Sequence, residues 1–183
     1  MPKSTIDLRL AHRLLSPGPV ALLSSQYRGQ PNLMTVAWTA PVSLDPPLLG
    51  VAIHPSRLTH EFVSKSEQFV LNIPHLEIIT ATHRCGMVSG RDGDKFEAAG
   101  LTMELSIEVD PPRVAECLAH IECAIVERVR LGDHDFFIGR PLAISADEQA
   151  FDGFWKTEEE AGHILHHLGA DRYAALAKSY RAS

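Results

Sequence analysis

Hydroxyl and guanidinium groups are concentrated at Ser56-Arg57-Leu58-Thr59, immediately before residues 60–65, which are predicted to form a short helix. A helix N-terminus offers free N–H groups and the positive end of the helix dipole. Ser56 and Thr59 add hydroxyl donors and Arg57 adds charge-assisted donors, so this combination favours phosphate binding. The alternative is that Ser56 or Thr59 only caps the helix and Arg57 is a solvated charge.

The loop at residues 86–96 is a second candidate anion site, because it is rich in glycine and in charge. Ser89, Arg91 and Lys95 can supply donors, and Gly90 permits backbone angles that other residues avoid. Charged glycine loops are also common on surfaces, so this loop alone is weak evidence. The chain has neither a Rossmann Gly-x-Gly-x-x-Gly pattern nor a Walker-type phosphate loop.

His134 follows Gly132 and Asp133 in a turn predicted between two β-like runs, residues 117–131 and 135–146. A histidine there can hydrogen-bond the edge of a ligand or help to position a hydride donor. The alternative is a turn histidine that bonds only to backbone.

Three further histidines, His163, His166 and His167, lie in a tail at residues 158–178 that is predicted to be helical. Their spacing of i, i+3 and i+4 would place them on one helix face, one turn after Glu160, which suggests a metal site. However, no His-Glu-x-x-His motif is present, and carboxylate–histidine sites in helical bundles need partner helices. We therefore predict a polar helix face near the ligand and no metal.

A strand pair between residues 32 and 53 is predicted to form the bed of the site. Residues 33–39 are apolar and β-prone, and residues 48–53 form a short apolar run. The three prolines within residues 41–47 predict a loop between these strands, because proline cannot extend a sheet ladder.

The first of these strands has two different faces, because its side chains alternate in size. The larger apolar side chains are Met34, Val36 and Trp38, and the small or hydroxylated ones are Thr35, Ala37 and Thr39. A face of small residues lets a flat ligand lie against the backbone. We predict that this ligand is a flavin.

The composition is that of a globular protein, with 183 residues of which 45% are hydrophobic, so a single domain over residues 1–183 is predicted. A net charge of −6 without a cluster of lysine and arginine argues against a nucleic-acid surface. The apolar runs are too short for a membrane helix and no signal peptide is recognisable, which predicts a cytoplasmic protein. Cys85, Cys117 and Cys123 lack Cys-x-x-Cys spacing, as expected of free thiols in a reducing compartment.

Short strands predominate in the remaining patterns. Strands are predicted at residues 20–27 and 68–73, a helix at residues 74–87, and a short N-terminal helix at residues 4–15 whose leucines pack onto the barrel. Many short strands with few helices favour a closed or partly closed antiparallel barrel, because closure removes free sheet edges.

Taken together, these residues resemble the flavin reductase-like, FMN-binding split-barrel family over about residues 19–139, and more loosely as far as Tyr173. Four motifs carry the resemblance in the family's order. They are Asn32-x-x-Thr35-x-x-Trp38 with Asp45-Pro46-Pro47; Arg57-x-Thr59 with Phe69-Val70-x-Asn72-Ile73-Pro74; Cys85-Gly86-x-x-Ser89-Gly90-Arg91 with Asp94-Lys95-Phe96; and Gly132-Asp133-His134 with Ile138-Gly139. Residues 168–173 look like the family's closing Gly-Gly-x-x-Tyr, with Ala170 where a second glycine is usual.

The resemblance implies a mainly β split barrel with flanking helices, forming a homodimer with FMN near the subunit interface. It implies that residues 34–39 line the isoalloxazine through their backbone and that residues 51–53 lie beside it. It also implies that Arg57, Thr59, Ser89 and Lys95 gather near the phosphate and ribityl chain, and that His134 lies close to the flavin and the incoming nicotinamide as the catalytic residue. The predicted cofactor-binding set is Asn32, Met34, Thr35, Val36, Ala37, Trp38, Thr39, Val51, Ala52, Ile53, Ser56, Arg57, Thr59, Ser89, Gly90, Arg91 and Lys95.

The predicted function is therefore hydride transfer from NADH or NADPH to FMN, with electrons passing on to free flavin, ferric iron or a partner monooxygenase. The cofactor carries the chemistry in such a protein, so no acid–base pair is required. Two alternatives remain open: a split-barrel flavoprotein that acts on its own organic substrate, and a non-enzymatic protein that holds FMN or another phosphate-bearing cofactor such as haem or F420.

Overall fold

Strands dominate the computed structural model, which describes residues 5–180. The strands are β1 (Gly18–Pro19), β2 (Ala21–Tyr27), β3 (Gln30–Val36), β4 (Thr39–Leu44), β5 (Pro47–Ile53), β6 (Gln68–Ile73), β7 (Met103–Glu104), β8 (Arg113–Val114), β9 (Ala119–Leu131), β10 (His134–Ala146), β11 (Leu165–Gly169) and β12 (Arg172–Ala175). The α-helices are α1 (Ala11–Leu14), α2 (Leu58–Ser66), α3 (Ile79–Met87) and α4 (Lys95–Ala99), and short 3-10 helices lie at Leu8–Leu10, Leu76–Ile78 and Glu160–Gly162.

Seven antiparallel strands form the main sheet in the order β3-β2-β6-β9-β10-β5-β4. Its two edge strands, β3 and β4, are not hydrogen-bonded to each other, although only Ala37 and Trp38 separate them along the chain. Such a short link holds the two edges near each other, so the sheet curls without closing. The mainly β split barrel predicted from the sequence is confirmed.

Alternation along β2 divides the interior into two clusters. Leu23 packs into the barrel core, where Phe69 and Phe137 are the largest buried side chains. Leu22 points to the opposite face and packs with Phe96 in a second cluster, against α3 and α4. Burial on both faces of β2 therefore fixes the two helices next to the sheet.

Several local predictions are confirmed. The strand predicted at residues 68–73 coincides with β6, and the strand predicted at residues 20–27 is β2, which begins one residue later. The hairpin predicted between two long strands is formed by β9 and β10. His134 belongs to the first pair of that ladder, opposite Leu131, so the turn itself consists of Gly132 and Asp133.

The loop predicted from the prolines of residues 41–47 is wrong, because β4 and β5 form a hairpin there. Pro41 lies within β4 and pairs with Leu49, and Pro47 begins β5. A register shift follows Pro41. Proline is tolerated here because β4 is an edge strand, whose outward N–H groups need no partner.

The helical tail predicted at residues 158–178 is also wrong. Apart from the short turn at Glu160–Gly162, this segment forms the β11–β12 hairpin, and β11 also pairs with β1. Gly169 and Ala170 have φ values of 121° and 52°, which a right-handed helix does not allow. His163, His166 and His167 therefore do not share a helix face.

The N-terminal helix is shorter than predicted and does not pack as expected. Only Leu8–Leu10 and α1 are helical, Asp7 caps the first turn, and residue 4 lies outside the described residues. The leucines predicted to pack onto the barrel are exposed, with 91% of Leu8 and 84% of Leu15 accessible to solvent.

Candidate functional site

A groove opens at the split in the barrel, and its central part is a cleft of about 350 Å³. The floor comes from the end of β3, the link to β4 and the end of β5. The lining residues are Met34, Thr35, Val36, Ala37, Trp38, Ala52, Ile53, His54, Ser56, Arg57, Gly86 and His134. We call this cavity the open cleft. Residues predicted from three separate sequence motifs thus meet in one place.

A smaller cavity of about 60 Å³ continues from the open cleft and shares four lining residues with it. We call it the cationic pocket. Its lining residues are Asn32, Met34, Ser56, Arg57, Leu58, Thr59, Cys85, Gly86, Val88, Ser89, Gly90 and Lys95. Both candidate anion sites of the sequence contribute to this single pocket.

The buried ammonium of Lys95 gives the cationic pocket part of its positive charge. The residue is only 6% exposed, and its ammonium donates a hydrogen bond to the carbonyl oxygen of Cys85. Burial, with a contribution from the charge of Arg57, lowers the pKa of Lys95 to about 8. Within residues 5–180 neither Lys95 nor Arg57 forms an ion pair with a carboxylate. The pocket therefore carries uncompensated positive charge.

Thr59 and Gly90 hold the wall of this pocket in place. The buried Thr59 hydroxyl accepts a hydrogen bond of 2.7 Å from Asn32 Nδ2. A Cβ on Gly90 would collide with Asn32 Oδ1, so glycine lets the 89–90 backbone approach this pair closely. A close backbone approach brings donors within reach of a ligand.

Capping does not explain the hydroxyls of Ser56, which precedes α2, and of Thr59, which lies in its first turn. Arg57 occupies the N-cap position, and no side chain makes a capping hydrogen bond there. The Ser56 hydroxyl lies 2.8 Å from His54 Nδ1, which also accepts from the Ser56 N–H at 3.1 Å. The helix N-terminus therefore keeps its free N–H groups, which favours the anion-site interpretation.

Aromatic rings form the opposite side of the open cleft. The ring of His134 lies 4.9 Å from the Trp38 ring and 5.2 Å from the His54 ring. We call these three residues the aromatic cluster. His134 Nδ1 lies 2.8 Å from Asp133 Oδ1, and this hydrogen bond lowers the pKa of Asp133. The carboxylate thus orients the imidazole ring at the mouth of the cleft.

Trp38 departs from the predicted alternation. Val36 and Met34 pack on the barrel core, whereas Trp38 is half exposed and lies outside that core. β3 ends at Val36, so the two-residue repeat does not continue to Trp38. Thr35 is fixed by a hydrogen bond from its hydroxyl to the carbonyl of Thr82 in α3.

Three residues of the predicted binding set lie outside both cavities. Arg91 forms an ion pair of 3.0 Å with Glu61, and Val51 is fully buried in the barrel core beneath the cleft. Thr39 lines a neighbouring cavity of about 470 Å³ together with Trp38 and Phe136. The other fourteen predicted cofactor-binding residues and His134 line the open cleft or the cationic pocket.

The sequence did not indicate a further cavity of about 180 Å³ beside the open cleft, which we call the hairpin cavity. Its lining residues are Val20, Thr35, Ala37, His83, Gly86, Met87, His167, Ala170 and Tyr173. His83 Nδ1 lies 3.2 Å from the Tyr173 hydroxyl. A helical tail would not bring Tyr173 next to His83, so the sequence does not predict this contact. The only sequence feature that points to it is the tyrosine of the closing motif.

The described residues contain no group of three or more His, Cys, Asp or Glu side chains arranged to hold a metal ion. None of the helices in residues 5–180 has both the length and the apolar character needed to cross a membrane.

Comparisons with known proteins identify a similar domain family, similar sequences and similar solved structures. The model of the flavin reductase like domain matches residues 13–166. YddH of Escherichia coli K12 is 32% identical over 97% of this chain and 96% of its own length. The NADH-dependent flavin reductase StyB of Pseudomonas fluorescens is 25% identical over 76% of this chain and 78% of its own length. An FMN-binding protein from Thermus thermophilus, crystallised with bound 1-cyclohex-2-enone, has a TM-score of 0.86 and 27% identity, covering 100% of this chain and 99% of its own.

Proposed function

Because the chain belongs to the flavin reductase-like family, we propose that it binds FMN and accepts a hydride from NADH or NADPH. Electrons then pass to free flavin, ferric iron or a partner monooxygenase. The FMN-binding protein of T. thermophilus supports the choice of FMN, and the NADH-dependent reductase StyB supports a nicotinamide donor.

The uncompensated charge of the cationic pocket is the observation that carries this proposal. Burying an ammonium without a carboxylate is costly, and the cost is offset if an anion binds next to it. The pocket has the size of a single phosphate group, and it opens directly into a cleft of about 350 Å³. That volume lies within the range of small-molecule sites. A phosphate-bearing ligand with a flat ring system therefore fits the residues present.

Different residues of the groove would hold different parts of such a ligand. Arg57 and Lys95 would neutralise the phosphate, with Thr59, Ser89 and the free N–H groups of α2 as further donors. The backbone at residues 34–38 and 52–53 would lie against the ring system. FMN, when bound, supplies the hydride chemistry, and the protein supplies position and electrostatics.

His134 would orient the nicotinamide at the mouth of the cleft. Its imidazole is held by Asp133 on one side and packs against Trp38 on the other. A ring fixed in this way restricts the approach of a second planar molecule, which places reacting atoms close together without an acid–base step.

A homodimer is part of the proposal. The exposed apolar side chains on one protomer include Leu8, Leu14, Leu15 and Leu44, which range from 69% to 92% accessible. Isolated exposed leucines are common, but three of these lie within residues 8–15, and apolar side chains exposed together on one segment are a candidate contact surface for a second protomer. We also infer a reducing, cytoplasmic location, since Cys85, Cys117 and Cys123 are free thiols.

A second candidate function is reduction of an organic substrate by the same groove. The FMN-binding protein from T. thermophilus was crystallised with bound 1-cyclohex-2-enone, and another of its crystal structures holds p-hydroxybenzaldehyde. Both molecules are small conjugated carbonyl compounds. The hairpin cavity beside the open cleft gives this chain room for a molecule of that size.

An absorbance experiment tests the main proposal. The purified protein is mixed with FMN, separated from free flavin, and titrated anaerobically with NADH and then with NADPH. We expect a flavin spectrum that either nucleotide bleaches. Absence of flavin binding would refute the proposal, whereas bound flavin that neither nucleotide bleaches would favour a different electron donor.

A further inference from the structure

The hairpin cavity lies beside the open cleft and shares part of its wall. Thr35, Ala37 and Gly86 line both cavities. A molecule in the hairpin cavity would therefore contact the same backbone as a ring system in the open cleft. No residue predicted to bind nicotinamide or phosphate lines it, so it is a separate compartment of the groove.

Hydrogen-bond donors without negative charge line this cavity. Tyr173 and His83 form a hydrogen-bonded pair at 3.2 Å, with their rings nearly perpendicular. His167 packs on Tyr173 with ring centroids 5.3 Å apart, and its Nε2 donates to the carbonyl of Ala170 at 3.0 Å. No aspartate or glutamate contributes to the lining. Such a cavity favours a neutral or anionic oxygen acceptor over an amine.

The volume of the hairpin cavity matches a ligand with a single ring. A cavity of about 150 Å³ accommodates benzene, and the hairpin cavity of about 180 Å³ has room for one six-membered ring with one carbonyl group. Val20 and Met87 supply apolar walls for the ring. An isoalloxazine or a complete nicotinamide dinucleotide is too large.

We propose that the hairpin cavity binds a single-ring conjugated carbonyl compound, a cyclic enone being the simplest, whose oxygen accepts a hydrogen bond from the Tyr173 hydroxyl. This compound is the organic substrate of the second candidate function, so the inference rests on that part of the proposed function.

The reaction balances with the nicotinamide as the electron source. FMN, when bound, would supply the hydride equivalent that forms a C–H bond at the β-carbon of the enone, with the nicotinamide as its source. The C=C electrons move towards the carbonyl, and its oxygen takes the proton of Tyr173 to give the enol. The phenolate regains a proton from solvent, with its hydrogen-bonded partner His83 as the relay, and the enol then converts to the saturated ketone. Burial raises the pKa of Tyr173 further above neutral, so its phenol O–H is available as a hydrogen-bond donor at neutral pH.

The test compares Tyr173→Phe with Tyr27→Phe, a tyrosine at the far end of β2. Binding of 2-cyclohexenone to the FMN-loaded protein is measured by saturation-transfer NMR, with cyclohexene as a ligand that lacks the carbonyl. We expect Tyr173→Phe to weaken 2-cyclohexenone binding by about 10-fold, the effect of one lost hydrogen bond. Cyclohexene binding, and both ligands in Tyr27→Phe, should be unchanged.

Separate readouts distinguish this inference from the proposed function. Retained FMN absorbance shows that each variant is folded, and bleaching by NADH reports the proposed function alone. If both are normal and Tyr173→Phe binds 2-cyclohexenone as tightly as the unaltered protein, the inference is overturned while the proposed function stands. If the unaltered protein binds no FMN, the proposed function fails and the acceptor role fails with it.

Discussion

The cationic pocket and the aromatic cluster, at opposite ends of one groove, are held together by different forces. Lys95 and Thr59 in the pocket are buried, and directional hydrogen bonds to Cys85 and Asn32 fix them. Trp38 in the cluster is half exposed, and it is held mainly by ring contacts. One end is charged and rigid, and the other is uncharged or weakly charged and open to solvent.

This difference implies that the cationic pocket controls cofactor affinity and that the aromatic cluster controls the rate of reduction. In the proposed function, charge-assisted hydrogen bonds to the phosphate would not change during hydride transfer, so they would stabilise the bound cofactor equally throughout the reaction. Rings at an open mouth instead determine how a second molecule approaches. Substitutions at the two ends should therefore change different measured constants.

The largest effect is expected for Lys95→Met, which removes the buried ammonium and keeps a similar volume. We expect FMN affinity to fall by about 100-fold, or about 2.7 kcal/mol, the range of a hydrogen bond to a charged group. The matched control is Lys65→Met, because Lys65 is exposed and paired with Glu61 at 2.7 Å. Fluorescence titration measures both. Equal affinities in the two variants would place the phosphate outside the cationic pocket.

The pH dependence of FMN affinity should follow Lys95 as well. A phosphate stabilises the ammonium, so the pKa of Lys95, about 8 in the free protein, rises in the complex. Affinity should then be flat between about pH 7 and pH 8, where the phosphate is fully ionised, and fall by at most about tenfold per pH unit above pH 8, because the free protein has lost the proton that the complex retains. Lys95→Met should lack this fall, and an identical fall in the variant would assign it to another group.

The stability of the flavin-free protein should change with pH in the opposite direction. The pKa of Lys95 is lowered on folding from its usual 10.5 to about 8. Between these values the unfolded chain binds more protons than the folded one, so the free energy of unfolding contributed by this group rises with pH. Denaturant titrations at pH 8 and pH 10 on the unaltered protein and on Lys95→Met isolate this contribution.

At the other end of the groove, His134→Ala should slow reduction by NADH by about 10-fold, less than the loss of a general acid or base, because His134 would position the nicotinamide without transferring a proton. FMN affinity should stay within about threefold, because His134 lies in the aromatic cluster and not in the cationic pocket. Stopped-flow bleaching and fluorescence titration give the two numbers. If His134→Ala instead weakens FMN binding while the FMN that stays bound is reduced at the normal rate, the proposed difference between the two ends of the groove would be wrong.

The two ends also differ in how well the sequence predicted them. The cationic pocket is built from short contiguous motifs around Arg57 and Lys95, each at the start of a helix, and those motifs can be recognised locally. The contacts of Trp38 with His134 and of His83 with Tyr173 join distant segments. Such contacts depend on sheet order and register, which the sequence pattern does not specify.

The tail shows a second limit of pattern reasoning. The spacing of His163, His166 and His167 matches a helical repeat, yet the segment that contains them is a hairpin. Short runs of apolar and polar residues fit both the helical repeat and the two-residue repeat of a strand, and tertiary packing determines which structure forms. The informative signal was Gly169, near the middle of the segment and weakly compatible with a helix.

The smallest expected effect tests the turn of that hairpin, through Ala170→Gly. Ala170 has a φ of 52°, a left-handed conformation that costs an alanine about 1 kcal/mol or more. Glycine relieves this strain but loses more chain entropy on folding, so we expect a net gain of about 0.5 kcal/mol in unfolding free energy. The sign of the change in unfolding free energy distinguishes the two structures, because in a helix the same substitution would destabilise the protein by about 1 kcal/mol. Ala98→Gly in α4 provides that helical control. Denaturant unfolding of both variants should therefore give changes of opposite sign, and a destabilised Ala170→Gly would contradict the hairpin that forms one wall of the proposed acceptor site.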